Sequence, residues 1–290
     1  APTSEEYQSM TFNGAWCWFS DPRAVYYEGT NKRTYSGWVD NYGDIHIGFY
    51  DHETKQIQSK VIYDSLEIDD HDNPSILFDE FGHLLVFFNK HGGGMYFTRS
   101  TKPENVKNWS TVQKLELNDT ERYDFGRDSY TYTNPIKLSA EKGRIFLFWR
   151  GIDGKPTYSV SDDNGETWTK GVIFYMPERT YGFRRPYVKY YSDGNSRIHI
   201  ALTDGHPRKE PTNSIYYMYY EDGAFYKANG EKIRNVGEGA HRPTDCDLVY
   251  DAKTTNQKAW IWDVAADEDG NPVLAYAKFP ARGDHRLRGV

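Results

Sequence analysis

Cysteine is scarce in this chain, with only Cys17 and Cys246 among 290 residues. Two cysteines cannot build the multiple-disulfide framework of small secreted scaffolds. They are expected to be buried thiols, a single bridge or, for one of them, a metal ligand. Long apolar runs are also missing, because no stretch approaches the ~18 apolar residues of a membrane-spanning helix. A membrane is therefore not expected as a partner.

The chain also lacks an excess of basic residues. The formal net charge is −7, whereas a nucleic-acid binder needs a basic footprint, so nucleic acid is not expected as a partner. Aromatic residues are abundant instead, at 16% with 24 Tyr and 8 Trp, and they favour strands and surfaces for sugar stacking. The first residues, APTSEEYQ, resemble a mature chain after signal cleavage at a small residue, so export is expected.

A repeat of about fifty to sixty residues runs through the chain, each copy reading polar residue, proline, strand, turn, strand. Its prolines are Pro22, Pro74, Pro135, Pro186 and Pro243. The first residue of a strand is one of the few places where a sheet accepts proline. Each copy continues into a second hairpin, and four short antiparallel strands per repeat are typical of a propeller blade. The stretch SDDNGETW, residues 161–168, matches the Asp-box turn S-x-D-x-G-x-T-W, which is structural and not catalytic.

The repeat predicts an all-β chain, a β-propeller of four-stranded antiparallel blades in a single domain over residues 1–290. Five repeats are visible, and the end AKFPARGDHRLRGV offers no strand to close a ring. We therefore expect a larger propeller of which this chain, truncated at its C-terminal end, is a part.

Two histidines are expected to face each other in the second repeat. The turn DEFG is centred near Phe81, and facing residues of a hairpin have numbers that add to twice the turn centre. His71 and His91 meet that condition, which predicts Cβ atoms about 5 Å apart. In the next repeat the turn is centred near Glu141, and the same count pairs Tyr132 with Arg150.

These four residues suit proton abstraction beside a carboxylate. In β-elimination on a uronic acid, Arg150 would neutralise the carboxylate. His71 or Tyr132 would act as base and the other as acid, with His91 orienting or sharing a proton. No carboxylate pair of the kind that glycosidases use is set apart by its spacing, and the IDDHD stretch reads as a capping or hydrogen-bonding loop.

Other candidates for substrate and metal binding follow from local clusters. Arg184, Arg185 and Tyr187 would bind further anionic groups or stack on a sugar ring. Cys246 with His206, His241 or His285 could form a structural zinc site, although no CxxC or HxxxH spacing supports one. No cofactor is expected to be required for catalysis.

As a set, several stretches resemble the BNR-repeat propeller family that includes ulvan lyases. They are GAWCWFSDPRAVYY, GWVDNYGDIHIGFYDHET, DDHDNPSILF, NKHGGGMYF, YTNPI with GRIFLFWRG, and TDGHPR with NSIYYMYYEDGAFY. The resemblance implies a secreted or periplasmic bacterial seven-bladed propeller that acts as a polysaccharide lyase on an anionic polysaccharide. It matches His71 and His91 to the family's paired histidines, Tyr132 to its catalytic tyrosine and Arg150 to its carboxylate-neutralising arginine. Tyr187 and His206 fall near further site positions, and a structural zinc is implied for some members.

Two alternatives stay open. Related propellers are α-L-rhamnosidases that remove rhamnose from glucuronate in arabinogalactan with a single histidine at the opposite face, and His46 in GDIHIG is the candidate for that role. A non-catalytic glycan-binding propeller is the other alternative. A monomer is expected in each case.

Overall fold

The computed structural model of the chain describes residues 8–124, 126–177, 185–280 and 286–289, the last as backbone. These residues form five antiparallel sheets, connected by turns and four 3₁₀ turns, with one short helix. They group into two compact units: residues 1–116 with 130–135, and residues 117–129 with 136–290. The prediction of a single domain stays a prediction. None of the helices in the described segments is long and apolar enough to cross a membrane.

The first unit contains two four-stranded sheets, with strand orders β1-β2-β3-β4 and β5-β6-β7-β8. Their strands are β1 (Ala24–Glu28), β2 (Lys32–Val39), β3 (Ile45–Asp51), β4 (Ile57–Tyr63), β5 (Ser75–Phe78), β6 (Leu84–Asn89), β7 (Met95–Arg99) and β8 (Gln113–Leu115). The central strands are the most apolar, and all six residues of β6 are buried. They pack with Tyr35, Ile47 and Ile76 into one core, which holds both sheets in place.

The turn between β5 and β6 has the predicted centre. Asp79 Oδ1 accepts the backbone N–H of Phe81 at 2.9 Å, and Gly82 has a φ of +83°, a conformation that glycine adopts without strain. Ser75 pairs with Phe87, and these numbers add to twice 81. The predicted register of this hairpin is confirmed.

The second unit contains three sheets. Their strands are β9 (Asn134–Leu138), β10 (Arg144–Arg150), β11 (Pro156–Ser161), β12 (Val172–Ile173), β13 (Val188–Ser192), β14 (Arg197–Thr203), β15 (Ile215–Glu221), β16 (Ala224–Tyr226), β17 (Lys232–Asn235), β18 (Asp247–Tyr250), β19 (Lys258–Ala266), β20 (Pro272–Phe279) and β21 (Arg286–Gly289). The orders are β12-β11-β10-β9, β13-β14-β15-β16-β17 with β18 on β15, and β19-β20-β21. The first two residues of β9 group with the first unit. Aromatic side chains such as Phe148, Phe174 and Tyr220 fill the core of the second unit.

The Asp-box forms the turn between β11 and β12, as its sequence predicts. Asp163 accepts hydrogen bonds from the Ser161 hydroxyl at 2.8 Å and from the Thr167 backbone N–H at 2.9 Å. Gly165 has a φ of +89°, and the Trp168 indole N–H donates to its carbonyl at 3.0 Å. The motif therefore closes a loop through hydrogen bonds among its own residues.

The fifth repeat differs from its prediction. The sequence favours a hairpin of β18 with β19, but β18 pairs with β15, and helix α1 (Ala252–Thr255) separates β18 from β19. The reason lies in β16, which pairs with only the last three residues of β15. The first three residues of β15 keep a free edge there, and β18 occupies it. Three of the five sheets have the predicted four strands, and all five are antiparallel. The end of the sequence was also mispredicted, because β21 pairs with β20 in a stretch where no strand was expected.

Candidate active site

The imidazole rings of His71 and His91 stack on each other in the first unit. Their centroids are 3.8 Å apart and their planes differ by 8°. The two residues are not a rung of the strand ladder as predicted, because β5 begins at Ser75 and β6 ends at Asn89. His71 lies instead in a 3₁₀ turn, Asp70–Asp72. The predicted proximity is therefore present, produced by the loops that extend the hairpin.

One carboxylate, that of Asp69, contacts both rings. Its Oδ1 lies 2.5 Å from His71 Nδ1, and its Oδ2 lies 2.9 Å from His91 Nδ1. Oδ1 also accepts the backbone N–H of His71 at 2.9 Å and so caps the 3₁₀ turn. Burial on its own would raise the pKa of Asp69. The hydrogen bonds from the His71 N–H and from the two rings outweigh that effect and lower the pKa to about 2.

Tyr132 lies beside the stacked pair, with its ring centroid 5.3 Å from that of His71. The segment is tied to the His91 loop, because the Gly92 N–H donates to the Tyr130 carbonyl at 2.9 Å and to the Thr131 hydroxyl at 3.0 Å. Tyr132 has a φ of +65°, a left-handed conformation that costs a non-glycine residue about 1–3 kcal/mol. Such strain is found where the surroundings fix a functional side chain.

Asp72 is fully buried behind this cluster. Neither of its carboxyl oxygens has a hydrogen-bond partner within the described part of the chain. The backbone N–H of His91 does not satisfy them, because it donates to Glu67 Oε2 at 3.0 Å. Burial, together with the negative charges of Glu67 and Asp69, raises the pKa of Asp72 to about 8. At neutral pH this side chain is therefore a protonated acid in the native protein.

Arg150, Tyr187 and His206 come together in the second unit. Arg150 is 8% exposed, and its Cζ lies 5.6 Å from the centre of the Tyr187 ring, within cation–π range. The Tyr187 ring meets His206 and Trp260 edge-on, at 5.4 and 5.2 Å. The sequence missed Trp260, which lies in the repeat whose pairing it mispredicted.

A positively charged cleft opens beside this aromatic group. It is lined by Arg185, Tyr187, His206, Arg208, Lys209 and Glu210. Burial lowers the pKa of His206, and the positive charges of Arg208, Lys209, Arg150 and Arg185 lower it further. The cleft therefore offers cations, which form charge-assisted hydrogen bonds with carboxylates, beside an aromatic face. The predicted substrate-binding residue Arg184 lies outside the described residues.

His46 has a separate environment on β3. Its ring stacks on Trp38, with centroids 5.3 Å apart and planes 11° from parallel. Its Nε2 lies 3.3 Å from Asp40 Oδ2. The opposite oxygen of Asp40 accepts the backbone N–H groups of Tyr42 and Asp44, so the carboxylate is held in one orientation. Trp38 and Asp40 therefore hold the His46 ring in place, and its catalytic role stays a prediction.

Two groups of described residues bring three donor atoms of His, Cys, Asp or Glu within 4.8 Å of one another. They are Asp69, His71 and His91, and Asp40, Asp44 and His46. In the first group the separation of 2.5 Å between Asp69 and His71 is a direct hydrogen bond. It is too short for two ligands of one ion, each of which lies about 2 Å from the metal.

The predicted zinc ligands do not join either group. Cys246 Sγ lies 3.8 Å from Met218 Sδ in the apolar core, and burial raises the pKa of its thiol well above the ordinary range. His206 Nδ1 accepts the backbone N–H of Arg208 at 3.0 Å. His241 is fully buried and lacks a ring-nitrogen partner among the described residues, but no pair of further donors converges on it there. In the described part of the chain these residues do not converge on one zinc site. His285, the remaining candidate ligand, lies outside the described residues, so the structural zinc stays a prediction.

The structure therefore brings the predicted site residues into two groups, one in each unit. His71, His91 and Tyr132 form the first group, and Arg150, Tyr187 and His206 form the second. Pairing of Tyr132 with Arg150 stays a prediction. Asp69 was missed as a distinct residue, because four acidic residues occur between positions 67 and 72 and spacing alone does not separate them.

Comparison with known proteins supports the resemblance. The sequence is 26% identical to an ulvan lyase of Nonlabens ulvanivorans, over 91% of this chain and 61% of that protein. It is 24% identical to an ulvan lyase of Alteromonas sp. (strain LOR), over 88% of this chain and 57% of that protein. The chain thus spans about six tenths of the length of these relatives.

A solved structure of a PL25 ulvan lyase bound to -[GlcA(1-4)Rha3S]- superposes with a TM-score of 0.74 at 18% identity. The match covers 96% of this chain and 70% of that one, and it confirms the predicted propeller fold class. The model of the BNR repeat-containing family matches residues 33–288, which is most of the sequence. The chain belongs to the BNR repeat-containing family.

Proposed function

We propose that this chain carries the acid–base centre of a polysaccharide lyase that cleaves uronate–rhamnose glycans by β-elimination. The observation that carries the proposal is the stacked pair of His71 and His91, held by one carboxylate with the Tyr132 ring beside it. β-Elimination needs a base for the C5 proton of the uronate and an acid for the oxygen that leaves C4. Imidazole and phenol groups provide both without the carboxylate pair of a glycosidase.

The proton transfers are assigned within the first unit. One imidazole takes the C5 proton through a ring nitrogen, because a neutral imidazole is a base that works near neutral pH. Tyr132, whose hydroxyl is both donor and acceptor, gives a proton to the leaving oxygen. The reverse division, with Tyr132 as base and His71 as acid, uses the same groups and has the same proton balance.

Arg150 is proposed to neutralise the uronate carboxylate, a role that rests on the family resemblance. Neutralising that charge acidifies the C5 proton and stabilises the enediolate-like intermediate. The contact between its guanidinium and the Tyr187 ring favours one orientation of the planar group. Arg150→Lys keeps the charge but loses the fork of donors that matches a carboxylate. We expect kcat/KM to fall about 10²-fold on that substitution.

The substrate is proposed to be a sulfated uronate–rhamnose polymer of the ulvan type. Both curated relatives are ulvan lyases, and the similar solved structure contains glucuronate linked to a sulfated rhamnose. The cleft with Arg185, Arg208 and Lys209 in this chain fits such a polyanion despite the net charge of −7.

Ultraviolet absorbance during incubation with ulvan tests the proposal, because elimination produces an absorbing unsaturated uronate and hydrolysis does not. His71→Ala is expected to reduce the signal by about 10²–10⁴-fold. His52→Ala is the matched control, since His52 is exposed and contacts Thr34. Rates that fall equally in both variants, or no absorbance with the unsubstituted chain, would contradict the proposal.

A second candidate function uses His46. Its hydrogen bond to Asp40 and its stacking on Trp38 form a histidine–carboxylate unit beside an aromatic face. We propose this unit as the centre of an α-L-rhamnosidase if the chain releases rhamnose from glucuronate-containing arabinogalactan. Rhamnose release without ultraviolet absorbance, abolished by His46→Ala and retained in His71→Ala, would identify it. Secretion, periplasmic location and the monomeric state stay predictions.

A further inference from the structure

We propose that Asp69 is a positioning residue that fixes both active-site histidines as the same tautomer, with each Nδ1 protonated and each Nε2 directed away from the carboxylate. The inference rests on the proposed function only where it concerns catalysis. The tautomers themselves are a property of the hydrogen bonds. Asp69 has no role in the family resemblance described above.

The two carboxylate oxygens of Asp69 are shared between the two rings. Oδ1 faces His71 Nδ1 at 2.5 Å, and Oδ2 faces His91 Nδ1 at 2.9 Å. An ionised carboxylate accepts hydrogen bonds but cannot donate one, so both Nδ1 atoms must bear the protons. When the rings are neutral, each Nε2 then has a free lone pair, and Nε2 is the atom that accepts or returns a proton in the reaction.

Capping alone does not explain this arrangement. The backbone N–H of His71 occupies Oδ1, and a cap of the 3₁₀ turn needs only that one oxygen. Oδ2 reaches across 22 positions of the chain to His91. The rings are stacked, 3.8 Å apart and 8° from parallel, so both Nδ1 atoms lie within reach of the same carboxylate.

Neither of the neighbouring acids contacts both rings. The Asp70 carboxylate lies 2.8 Å from His71 Nδ1, but its side chain is 53% exposed and no contact to His91 accompanies it among the described residues. Glu67 accepts the backbone N–H of His91 and not its ring. Asp69 is therefore the carboxylate that joins the two rings, and Asp70 provides a matched control.

The experiment compares the chain with Asp69→Asn and Asp70→Asn. Asparagine also caps helical turns, so Asp69→Asn retains the cap. However, its side chain offers one acceptor oxygen and one donor nitrogen, so it can accept a hydrogen bond from at most one ring. Because the Asp70 carboxylate lies 2.8 Å from His71 Nδ1 and could accept in its place, Asp69→Asn is also made in the Asp70→Asn chain. Long-range ¹H–¹⁵N correlation spectra of ¹⁵N-histidine-labelled protein report which ring nitrogen carries the proton. They are recorded at alkaline pH, where imidazoles are neutral, and His71→Gln and His91→Gln assign the signals.

We expect both rings to be protonated at Nδ1 in the unsubstituted chain. In the double variant Asp69→Asn/Asp70→Asn we expect at least one ring to be protonated at Nε2. In Asp70→Asn both rings keep a protonated Nδ1. The rate of elimination falls about 10²–10⁴-fold in Asp69→Asn, mainly in kcat, and changes little in Asp70→Asn. Far- and near-ultraviolet circular dichroism of Asp69→Asn should match that of the unsubstituted chain.

Two outcomes would overturn the inference: a protonated Nε2 on either ring of the unsubstituted chain, or unchanged tautomers in the double variant Asp69→Asn/Asp70→Asn. The spectra need no substrate, so they separate this inference from the proposed function. If the tautomers are as expected but ulvan gives no absorbance, the lyase proposal fails and the role of Asp69 in setting the rings stands.

Discussion

The free energy of unfolding of Asp72→Asn, taken relative to that of the unsubstituted chain, is expected to rise with pH. Asp72 is fully buried, and its oxygens are without hydrogen-bond partners in the described residues. Its pKa rises from 3.8 to about 8 on folding. The native state therefore keeps a proton that the unfolded chain releases between about pH 4 and pH 8. Because the unfolded chain binds fewer protons there, the free energy of unfolding falls with rising pH.

The magnitude follows from the size of the shift. A rise of about four units in the pKa of Asp72, at 1.36 kcal/mol per unit, costs the native state about 4 kcal/mol at pH 7 and up to about 6 kcal/mol above pH 8. This contribution is absent below the unfolded pKa. In Asp72→Asn the pH-dependent part disappears. Burying the amide adds a constant penalty of about 1–3 kcal/mol, which shifts the curve but does not change its slope.

The assay is chemical denaturation at a series of pH values between 4 and 9, followed by circular dichroism. The difference in free energy of unfolding between Asp72→Asn and the unsubstituted chain should grow by about 1.4 kcal/mol per pH unit between about pH 5 and pH 8. Titrating groups elsewhere cancel in this difference. Parallel curves for Asp72→Asn and the unsubstituted chain would refute the reasoning.

Three further predictions concern the turn, the cleft and the tyrosine. Asp163→Ala should lower the free energy of unfolding by about 1–2 kcal/mol, measured by denaturation, because it removes the hydrogen bonds that close the Asp-box. The proposed lyase activity should be unchanged in this variant. Arg208→Gln should weaken binding to ulvan in affinity electrophoresis. Added salt should reduce the difference in binding between the variant and the unsubstituted chain, since exposed charges are screened over about 8 Å at physiological ionic strength. An equally large effect on binding to a neutral glucan would contradict this prediction. Tyr132→Phe keeps the ring contact with His71 but loses the hydroxyl, so the rate of ultraviolet-absorbing product should fall about 10²–10⁴-fold at unchanged melting temperature.

Local turn chemistry made much of the fold predictable from the sequence. The turn at Phe81 sets the register of β5 and β6. The same register predicted that His71 and His91 lie close together, although loops beyond the two strands hold them. The Asp-box was recognisable because its hydrogen bonds run between residues four positions apart or fewer. The fifth repeat failed because the partner of β18 depends on how much of β15 is left uncovered by β16, and no local pattern contains that information.

The candidate site was likewise only partly predictable from the sequence. Residue type and spacing identified the histidines, but not the carboxylate between them, because Asp69 differs from its acidic neighbours only in where its two oxygens point. The burial of Asp72 was invisible for a similar reason: aspartate is normally exposed, and nothing in IDDHD indicates which acid faces inward. The aromatic neighbour Trp260 lies more than seventy residues from Tyr187 in sequence, beyond the reach of any local pattern.

The short segment 130–135 groups with the first unit although the residues on either side of it group with the second. Ser75 donates to the Thr133 carbonyl at 2.6 Å, and the Asn134 amide donates to the Phe19 carbonyl at 2.9 Å. A fragment that ends at residue 116 would therefore lack Tyr132 and the two hydrogen bonds that Thr133 and Asn134 form with Ser75 and Phe19. To express the first unit separately, residues 130–135 must be joined to residue 116 by a linker. Limited proteolysis near residue 117 should yield fragments that remain associated until denaturant is added.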